Sequence, residues 1–229
     1  MDEPDDPSRA RLHWRALGAE AGLDERSLRS VSRRRTYARG DTIFHEGDRA
    51  GAFHLLDRGH VAIRLTTRLG DVAIIDVLQP GDTFGEQALI HGDGDRSASV
   101  TAIDDVETLT LDEASFRSLR DEHPGVDRFL LMVLSHRLRE TSTQLLEARY
   151  VTGSRRLYRC VLRLAEQFDA VGDGAIPLRQ SDVASMAGLT RPTANRLLRQ
   201  AAQDGVIRVG RKQIEVTDAT MLRQRAGLR

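Results

Sequence analysis

The sequence predicts an α+β fold: a small barrel of short strands, then one long helix, then a compact helical domain. Short apolar runs separated by Gly-Asp pairs fill residues 37–111, which is the pattern of a barrel or jelly roll. From residue 124 the spacing of apolar residues changes to the alternation of three and four that indicates a helix. A chain of 229 residues is long enough for two domains of this kind.

The barrel prediction rests on the even spacing of its turns. Gly-Asp pairs recur four times between positions 40 and 82, and Val61, Ile63 and Leu65 alternate with residues that point to the other face. We expect a helix near Ser8–Ala19 before the barrel and a helical stretch that begins over Asp112–Arg120 after it. The five predicted strands are Thr42–Phe44, Ala52–Leu56, His60–Thr66, Val72–Leu78 and Ser99–Ile103.

A heptad pattern marks the long helix, which is predicted from Pro124 to about Tyr150. Its apolar seam is spaced 3, 4, 3, 4, 3, which predicts a partner helix and therefore a homodimer. The same helix is expected to pack on the barrel through Phe129 and Val133, and Tyr150–Gly153 is the predicted hinge. The seam consists of Leu131, Leu134, Leu138, Thr141, Leu145 and Ala148.

The block after the hinge predicts a winged helix-turn-helix. Ala184 is small enough to let two helices cross closely, and Gly188 supplies the turn between them. Residues 206–209 and 213–216, joined by Gly210-Arg211-Lys212, predict a hairpin wing. A generic pair of packed helices is the alternative. The residues expected to fill the joint between the two helices are Val183, Leu189, Ala194 and Leu197.

The net charge of zero hides an asymmetry between two parts of the chain. Residues 154–229 carry 14 basic and 7 acidic side chains, whereas the preceding 153 residues carry 20 basic and 27 acidic ones. The last block therefore has a net charge of +7 and the rest a net charge of −7. A basic block that coincides with a helix-turn-helix pattern predicts contact with the phosphates of double-stranded DNA.

Composition predicts a cytoplasmic protein. There is no run of about 18 apolar residues that could span a membrane. Residues 1–8 are acidic and Pro-rich, unlike a signal peptide, and we expect them to form a disordered tail. The single cysteine, Cys160, excludes an internal disulfide and is expected in the core.

The most informative stretch is residues 84–99, Phe-Gly-Glu-Gln-Ala-Leu-Ile-His-Gly-Asp-Gly-Asp-Arg-Ser-Ala-Ser. A Gly-Glu turn precedes a short apolar turn of helix at 88–90, a Gly/Asp-rich loop follows, and Arg-Ser-Ala leads into a strand. This order predicts one carboxylate (Glu86), one guanidinium (Arg96) and free backbone N–H groups around a small cavity. N–H groups at a helix start and a guanidinium suit an anionic diester, and a carboxylate suits a ribose hydroxyl.

The stretch resembles the phosphate-binding cassette of the cyclic-nucleotide-binding domain in Crp/Fnr regulators, in particular those that respond to cyclic AMP. The resemblance extends from about Thr36 to Asp218 and implies a transcription regulator whose effector is cyclic AMP, with cyclic GMP as the alternative. The implied nucleotide-binding residues are Gly85, Glu86, Gln87, Ala88, Arg96, Ser97, Ala98, Arg137, Thr141 and Ser142.

Three of these residues lie on the long helix and have structural alternatives. Thr141 and Ser142 stand where cyclic-AMP-responsive relatives contact the adenine from both subunits, although a polar layer that sets the helix register is the alternative. Arg137 matches the helix arginine that pairs with the cassette glutamate, here Glu86, and a solvated surface arginine is its alternative.

The recognition helix is predicted to start after Thr190 as N-cap, with Pro192 tolerated in the first turn. Arg191 and Arg196 match family positions that contact guanines. Asn195 can hydrogen-bond to adenine, and Arg199 is expected to contact a phosphate. Pro192 departs from the family, which has a base-contacting glutamate there, so one position of the half-site is expected to be relaxed or re-specified. The implied DNA-binding residues are Arg179 (a candidate phosphate ligand), Ser181, Thr190, Arg191, Pro192, Thr193, Asn195, Arg196 and Arg199.

The resemblance also implies the domain organisation and the partners. A cyclic-nucleotide-binding jelly-roll barrel with an N-terminal helix would occupy residues 1–121, the dimerisation helix and hinge 122–153, and the winged helix-turn-helix 154–229. The implied partners are double-stranded DNA with a palindromic site, a second copy of the chain, and RNA polymerase. The rival hypothesis is a ligand-independent DNA-binding dimer with a vestigial barrel, which the costly Arg96 and the Thr-Ser pair disfavour.

Other classes find little support in the sequence. An enzyme regulated by a cyclic nucleotide would lack room for a catalytic domain, and no serine has a nucleophile-elbow context, so no enzymatic activity is expected. No residue cluster has metal-ligand spacing, and the cysteine count excludes an iron–sulfur cluster. The intact cassette disfavours haem, and the barrel histidines are expected to be solvated; these are His45, His54, His60 and His91.

Overall fold

A computed structural model of the chain describes residues 13–66, 70, 72–86, 89, 94–171 and 174–228. The predicted α+β class is confirmed. The helices are α1 (Trp14–Glu20), α2 (Glu25–Val31), α3 (Glu113–Glu122), α4 (Gly125–Tyr150), α5 (Gly153–Gln167), α6 (Gln180–Met186), α7 (Arg191–Gln203) and α8 (Ala219–Ala226). The strands are β1 (Arg33–Tyr37), β2 (Thr42–Phe44), β3 (Phe53–Arg58), β4 (Val61–Thr66), β5 (Val72–Leu78), β6 (Thr83–Phe84), β7 (Ser99–Ala102), β8 (Val106–Leu111), β9 (Ala175–Ile176), β10 (Ile207–Val209) and β11 (Ile214–Val216).

The first eight strands form two four-stranded sheets of short strands, as expected of a small jelly-roll barrel. Their orders are β1-β8-β3-β6 and β2-β7-β4-β5. A third sheet, in the order β10-β11-β9, contains the predicted hairpin wing. Every strand pair whose register is described is antiparallel.

The chain divides into two compact units. The described residues within 13–65 and 78–143 form the N-terminal unit, and those within 66–77 and 144–228 form the C-terminal unit. In the C-terminal unit the amide Nε2 of Gln167 donates to the Val77 carbonyl at 3.0 Å, which ties the short segment to α5. The proposed boundaries at residues 121 and 153 stay predictions.

Two apolar clusters form the core of the N-terminal unit. One joins α1 and α2 to β3, β8, α3 and the start of α4, with Trp14 fully buried and its Nε1 donating to the Leu56 carbonyl at 3.2 Å. The other joins β3, β4, β6, β7 and β8 through residues such as Leu56, Val61 and Phe84. Burial does not alternate along β4, because Ala62 is buried as fully as its neighbour Val61.

The long helix α4 carries a buried face and an apolar exposed face. Phe129 and Val133 are buried against the N-terminal unit, as predicted. The seam leucines Leu131, Leu138 and Leu145 are 67%, 69% and 53% exposed. A single chain therefore leaves the predicted seam in contact with solvent.

The C-terminal unit forms the predicted helix-turn-helix with its wing. Val183 and Ala184 on α6 are buried, as is the inward face of α7, and Gly188 has the positive φ of +62° that the turn requires. The Leu189 N–H donates to the Ala184 carbonyl at 2.9 Å and closes this turn. The inward-facing residues of α7 are Ala194, Leu197, Leu198 and Ala201.

Several elements differ from the sequence prediction. The strand region begins at Arg33 rather than near Tyr37, and five further elements were not predicted: α2, β6, β8, β9 and α8. The first helix begins at Trp14, with His13 as its N-cap; residues 8–12 of the predicted helix, and the predicted tail, lie outside the described residues. No helix in the described part of the chain is long and apolar enough to cross a membrane.

Candidate functional site

The guanidinium of Arg96 is held inside the barrel by two carbonyl groups and an aromatic ring. Its Nη2 donates to the Ala52 carbonyl at 2.8 Å and its Nη1 to the Gly85 carbonyl at 3.3 Å. The Cζ atom lies 3.9 Å from the centroid of the Phe44 ring, which is a cation–π contact. The turn at 47–50 fixes the backbone, since the Arg96 N–H donates to the Asp48 carbonyl at 2.7 Å.

The positive charge of Arg96 is poorly compensated. The residue is 6% exposed, and its Nε has no hydrogen-bond partner among the described residues. No carboxylate in that part of the chain forms an ion pair with it. Burial lowers the pKa of Arg96, opposed by the charges of Glu86 and Asp48, but arginine stays protonated at neutral pH. A buried cation of this kind is stabilised when an anion binds beside it.

Gly85 gives the guanidinium its space. Its φ is +80°, a conformation that side chains with a Cβ rarely adopt. A Cβ at this position would lie 2.6 Å from Nη1 of Arg96 and 2.9 Å from the Ala52 carbonyl oxygen. The position therefore requires glycine for both its backbone conformation and the close approach of Arg96.

Glu86 and Arg137 form an ion pair between the cassette and α4. The Nη1 of Arg137 lies 3.2 Å from Oε1 of Glu86, and its Nη2 donates to the Thr83 carbonyl at 2.9 Å. The alternative of a solvated surface arginine is therefore wrong. The carboxylate of Glu86 is mostly buried and keeps acceptor lone pairs beyond those that Arg137 uses.

Thr141 and Ser142 lie on the exposed part of α4, one turn after Arg137. The Thr141 hydroxyl donates to the Arg137 carbonyl and the Ser142 hydroxyl to the Leu138 carbonyl, each at 2.9 Å. Because each hydroxyl gives its proton to its own helix, its oxygen presents lone pairs outward. Both side chains thus offer acceptors beside the exposed leucine seam.

Two barrel histidines, His54 and His60, are not solvated as expected. His54 is buried, stacks on Phe84 with 4.6 Å between ring centroids, and bonds through Nδ1 to the Thr108 hydroxyl at 3.2 Å. Burial, with smaller contributions from Arg96 and Arg35, lowers the pKa of His54 to about 3. The prediction of a solvated imidazole is wrong here because β3 is covered on both faces. His45 is exposed as predicted, whereas His60 is largely buried beside Asp104.

Some predicted cassette residues cannot be placed. Gln87, Ala88 and His91 lie outside the described residues, while Ser97 is exposed and Ala98 half-buried directly after Arg96. The structure brings Gly85 to Arg96 and Glu86 to Arg137. It brings Thr141 only to the Arg137 backbone, and Ser142 to none of the described cassette residues.

The outward face of α7 is positively charged. Arg191, Arg196 and Arg199 are exposed, and no described carboxylate pairs with any of them. Asn195 is half-exposed between them, and Pro192 is exposed at the second helical position. Guanidinium groups that lack a carboxylate partner can form hydrogen bonds to phosphates or to the edges of guanines.

The helix starts differ in detail from their predicted caps. Thr190 is the N-cap of α7, but its hydroxyl donates to the Thr193 hydroxyl at 2.9 Å rather than accepting from the backbone. Arg179 is the N-cap of α6; its N–H donates to Asp182 Oδ2 at 3.0 Å, and its side chain is exposed. Ser181 is half-buried in the first turn of α6.

Sequence analysis missed residues that contribute to the Arg96 site and to the basic surface of the C-terminal unit. Phe44 lies beneath Arg96 although 52 positions separate them, and no local pattern marks that contact. Arg211 and Lys212 are exposed at the tip of the wing, where the Gly210 N–H donates to the Gln213 carbonyl at 2.8 Å. Because the sequence predicts a hairpin wing here within the basic block, that signal could have added Arg211 and Lys212 to the predicted DNA-binding residues.

Cys160 is a buried residue of α5. The thiol of Cys160 is buried, and burial raises its pKa to about 11, which suits the predicted core role. Among the residues that the structure describes, no group of three or more His, Cys, Asp or Glu side chains could hold a metal ion.

Comparison with known families matches both units. The sequence pattern of the cyclic nucleotide-binding domain matches residues 34–123, and that of the Crp-like helix-turn-helix domain matches residues 155–225. These ranges contain Arg96 and the whole of α7.

Similar curated proteins align with most of the chain. The cyclic AMP receptor protein of Thermus thermophilus is 33% identical over 196 residues, which cover 85% of this chain and 88% of that protein. A CRP-like cAMP-activated global transcriptional regulator of Mycobacterium tuberculosis is 30% identical, with 83% and 86% covered.

Solved structures agree. The catabolite activator protein of Thermus thermophilus is 32% identical and covers 93% of this chain and 99% of its own, with a TM-score of 0.51. A Thermus thermophilus transcriptional regulator of the CRP/FNR family, 22% identical, covers 86% of this chain and all of its own with a TM-score of 0.73, which supports the fold.

The buried His54 predicts a loss of stability in acid. The pKa of His54 in the folded chain is about 3, below the ordinary value of 6.5. Between these two pH values His54 is therefore protonated in the unfolded chain and neutral in the folded chain, which favours unfolding. Between pH 7 and pH 5 this group should lower the free energy of unfolding by about 2 kcal/mol. Urea unfolding at both pH values should show a smaller loss in His54→Phe than in the exposed control His45→Phe. Equal losses in the two variants would contradict the assignment.

Proposed function

We propose that this chain, which belongs to the Crp/Fnr family of transcription regulators, binds DNA as a homodimer when cyclic AMP occupies its barrel. Members of this family are DNA-binding regulators that carry a cyclic-nucleotide-binding domain. One observation carries the proposal: Arg96 is a buried cation with no carboxylate partner among the described residues, beside a carboxylate that keeps free lone pairs.

The cyclic phosphate would bind at Arg96. The Nε of Arg96 offers an unused donor, and charge-assisted hydrogen bonds from a guanidinium to a phosphodiester are strong. Glu86, oriented by Arg137, would accept from the ribose 2′-hydroxyl. The family resemblance adds backbone contacts, and we assign these to Gly85, Gln87, Ala88, Ser97 and Ala98.

The hydroxyl groups of Thr141 and Ser142 favour adenine over guanine. Both give their protons to carbonyls of α4 and so present acceptors outward. Adenine carries an exocyclic amine donor at N6, whereas guanine carries a carbonyl acceptor at O6. An acceptor facing O6 would be unfavourable, so cyclic AMP is the proposed effector and cyclic GMP the weaker ligand.

The exposed seam of α4 supports the homodimer. Leu131, Leu138 and Leu145 recur every seven residues and are each more than half exposed in one chain. A second copy of α4 would bury them in the manner of a coiled coil. Thr141 and Ser142 then lie beside the partner helix, where one nucleotide can contact both subunits.

Ligand binding would act by shifting a population. A nucleotide changes the conformation only if it binds the DNA-competent state more tightly. Contacts from the barrel to both long helices would stabilise the state in which the two α7 helices stand one DNA turn, about 34 Å, apart. A two-fold dimer implies a palindromic site.

On the family resemblance we further propose that the protein is cytoplasmic and contacts RNA polymerase. We also propose that the barrel occupies residues 1–121, the dimerisation helix and hinge 122–153, and the winged helix-turn-helix 154–229.

The exposed face of α7 would contact bases and phosphates. Arg191 and Arg196 would each grip a guanine, Asn195 would contact an adenine, and Arg199 would contact phosphate. We assign backbone or phosphate contacts to the flanking residues, which are Arg179, Ser181, Thr190 and Thr193. Pro192 offers no side-chain donor or acceptor, so discrimination beside it must come from shape or a thymine methyl group.

Calorimetry tests the proposal directly. The full chain is titrated with cyclic AMP and separately with cyclic GMP, and binding to a palindromic DNA probe is then measured with and without each nucleotide. We expect tighter binding of cyclic AMP and DNA binding that depends on it. DNA binding with no affinity for either nucleotide would instead establish the ligand-independent dimer.

Arg96→Ala should remove most of the affinity for cyclic AMP. The lost guanidinium–phosphate contact is expected to cost about 2–4 kcal/mol, a weakening of roughly 30- to 1,000-fold, with the fold retained. Arg58→Ala, which removes an exposed arginine of β3, is the control and should leave the affinity unchanged. Unaltered binding by the Arg96 variant in calorimetry would refute the site.

Replacing Thr141 and Ser142 together by Ala should impair the response to the ligand rather than the assembly. Both side chains are exposed on α4, and neither is part of a described core cluster. We expect a dimer in analytical ultracentrifugation with weak dependence of DNA binding on cyclic AMP. A changed oligomeric state with a normal response would show that the pair only sets helix register.

Arg191→Ala and Arg196→Ala should each relax one base position. Each change is expected to cost roughly 1–3 kcal/mol of DNA binding and to reduce discrimination at a single guanine, as measured by selection from randomised palindromes. Arg199→Ala serves as the comparison: it should weaken all sequences alike and lower the salt dependence. A base pair next to Pro192 that is selected as strictly as the two guanines would contradict the role given to that residue.

A further inference from the structure

Two arginines of α5 hold the last turn of α4. Arg156 donates from Nη1 to the Val151 carbonyl at 2.8 Å and to the Ala148 carbonyl at 3.4 Å. Arg159 pairs through Nη1 with Oε1 of Glu147 at 2.8 Å. Because the two arginines are three positions apart, they lie on the same face of α5.

The same two side chains also reach the DNA-binding helices. The Nε of Arg156 donates to the Ala187 carbonyl at 3.0 Å and its Nη2 to the Gly188 carbonyl at 3.3 Å, both in the turn between α6 and α7. The Nε of Arg159 donates to the Ala226 carbonyl at 3.0 Å, at the end of α8. Each guanidinium therefore joins the end of α4 to a different helix end in the C-terminal unit.

The chemistry suits a rigid joint. The last carbonyls of a helix lack partners within the helix and carry partial negative charge. A guanidinium is planar, permanently charged and offers five N–H groups in fixed directions, so one side chain can serve two helix ends. Gly153 adds a close approach, because a Cβ there would lie 2.8 Å from Cδ2 of Leu189 in the same turn.

We propose that Arg156 and Arg159 are positioning residues that make the last turn of α4 and the helix-turn-helix move as one body. The segment Tyr150–Gly153 is then a braced joint rather than a free hinge. The signal that this joint would transmit rests on the proposed function. A change that cyclic AMP makes in α4 would reach α7 through these contacts. Neither arginine touches the nucleotide or the bases in this scheme.

Hydrogen exchange on the full chain without ligand tests the joint. The Val151 amide reports the end of α4 through its bond to the Glu147 carbonyl, and the Leu189 amide reports the helix-turn-helix turn through its bond to the Ala184 carbonyl. In Arg156→Gln both amides should exchange about tenfold faster, since one side chain braces both segments. The adjacent exposed Arg155, changed to Gln, removes the same charge and should alter neither amide. Protection retained at either amide in Arg156→Gln would overturn the proposal.

A second measurement tests the transmission of the signal. We compare the factor by which cyclic AMP tightens DNA binding in the wild-type chain, Arg156→Gln and Arg155→Gln. The factor should fall about tenfold in Arg156→Gln, while affinity for cyclic AMP without DNA stays within about twofold of wild type. An undiminished factor would overturn the proposal. A wild-type chain that ignores cyclic AMP would refute the proposed function, and hydrogen exchange would still decide the joint.

Glu147→Gln provides a variant that leaves Arg156 in place. It breaks only the contact between Arg159 and α4, so the Val151 amide should exchange faster while the Leu189 amide keeps its protection. The cyclic AMP factor should fall by about threefold, less than in Arg156→Gln. A Val151 amide that stays fully protected would show that Arg159 does not brace α4, even if Arg156→Gln fails to fold.

Discussion

The buried positive charge of Arg96 organises the interior of the barrel. Arg96 is held by carbonyl oxygens and by the face of Phe44, which orient the guanidinium without neutralising it. Position 85 requires glycine because the guanidinium occupies the space that a Cβ would need. The charge of Arg96 also helps to lower the pKa of His54, which keeps that imidazole neutral. The barrel thus keeps a fixed site of positive potential away from water, and in such a place charges interact far more strongly than at the surface.

The two faces of α7 separate stability from recognition. Alanine and leucine side chains on the inner face are buried, and the arginines on the outer face have no carboxylate partner among the described residues. Some arginines elsewhere in the same unit are neutralised, as in the pairs Arg208–Glu215 and Arg225–Asp204. The outer face of α7 therefore presents three positive charges, Arg191, Arg196 and Arg199, that no described carboxylate neutralises.

Local patterns predicted the elements with strong periodicity, and contacts distant in sequence escaped them. The α4 helix and the helix-turn-helix followed from apolar spacing, whereas β1 was missed because Arg33, Arg34 and Arg35 give it no apolar face. The pairing of Glu86 with Arg137 came from the family resemblance, since 51 positions separate the two residues. The burial of His54 depends on a stack with Phe84, 30 residues away, which no local pattern encodes.

The arginines of β1 also bear on how copies of this chain meet. β1 lies at one edge of its sheet, and an edge strand offers unpaired backbone groups to any other strand that approaches. Three consecutive exposed cations on that strand repel a second copy, and only Arg34 has a described carboxylate partner, Glu107. Strand-to-strand addition, which builds fibres, is thus discouraged at this edge, whereas the leucine seam of α4 is exposed in a single chain.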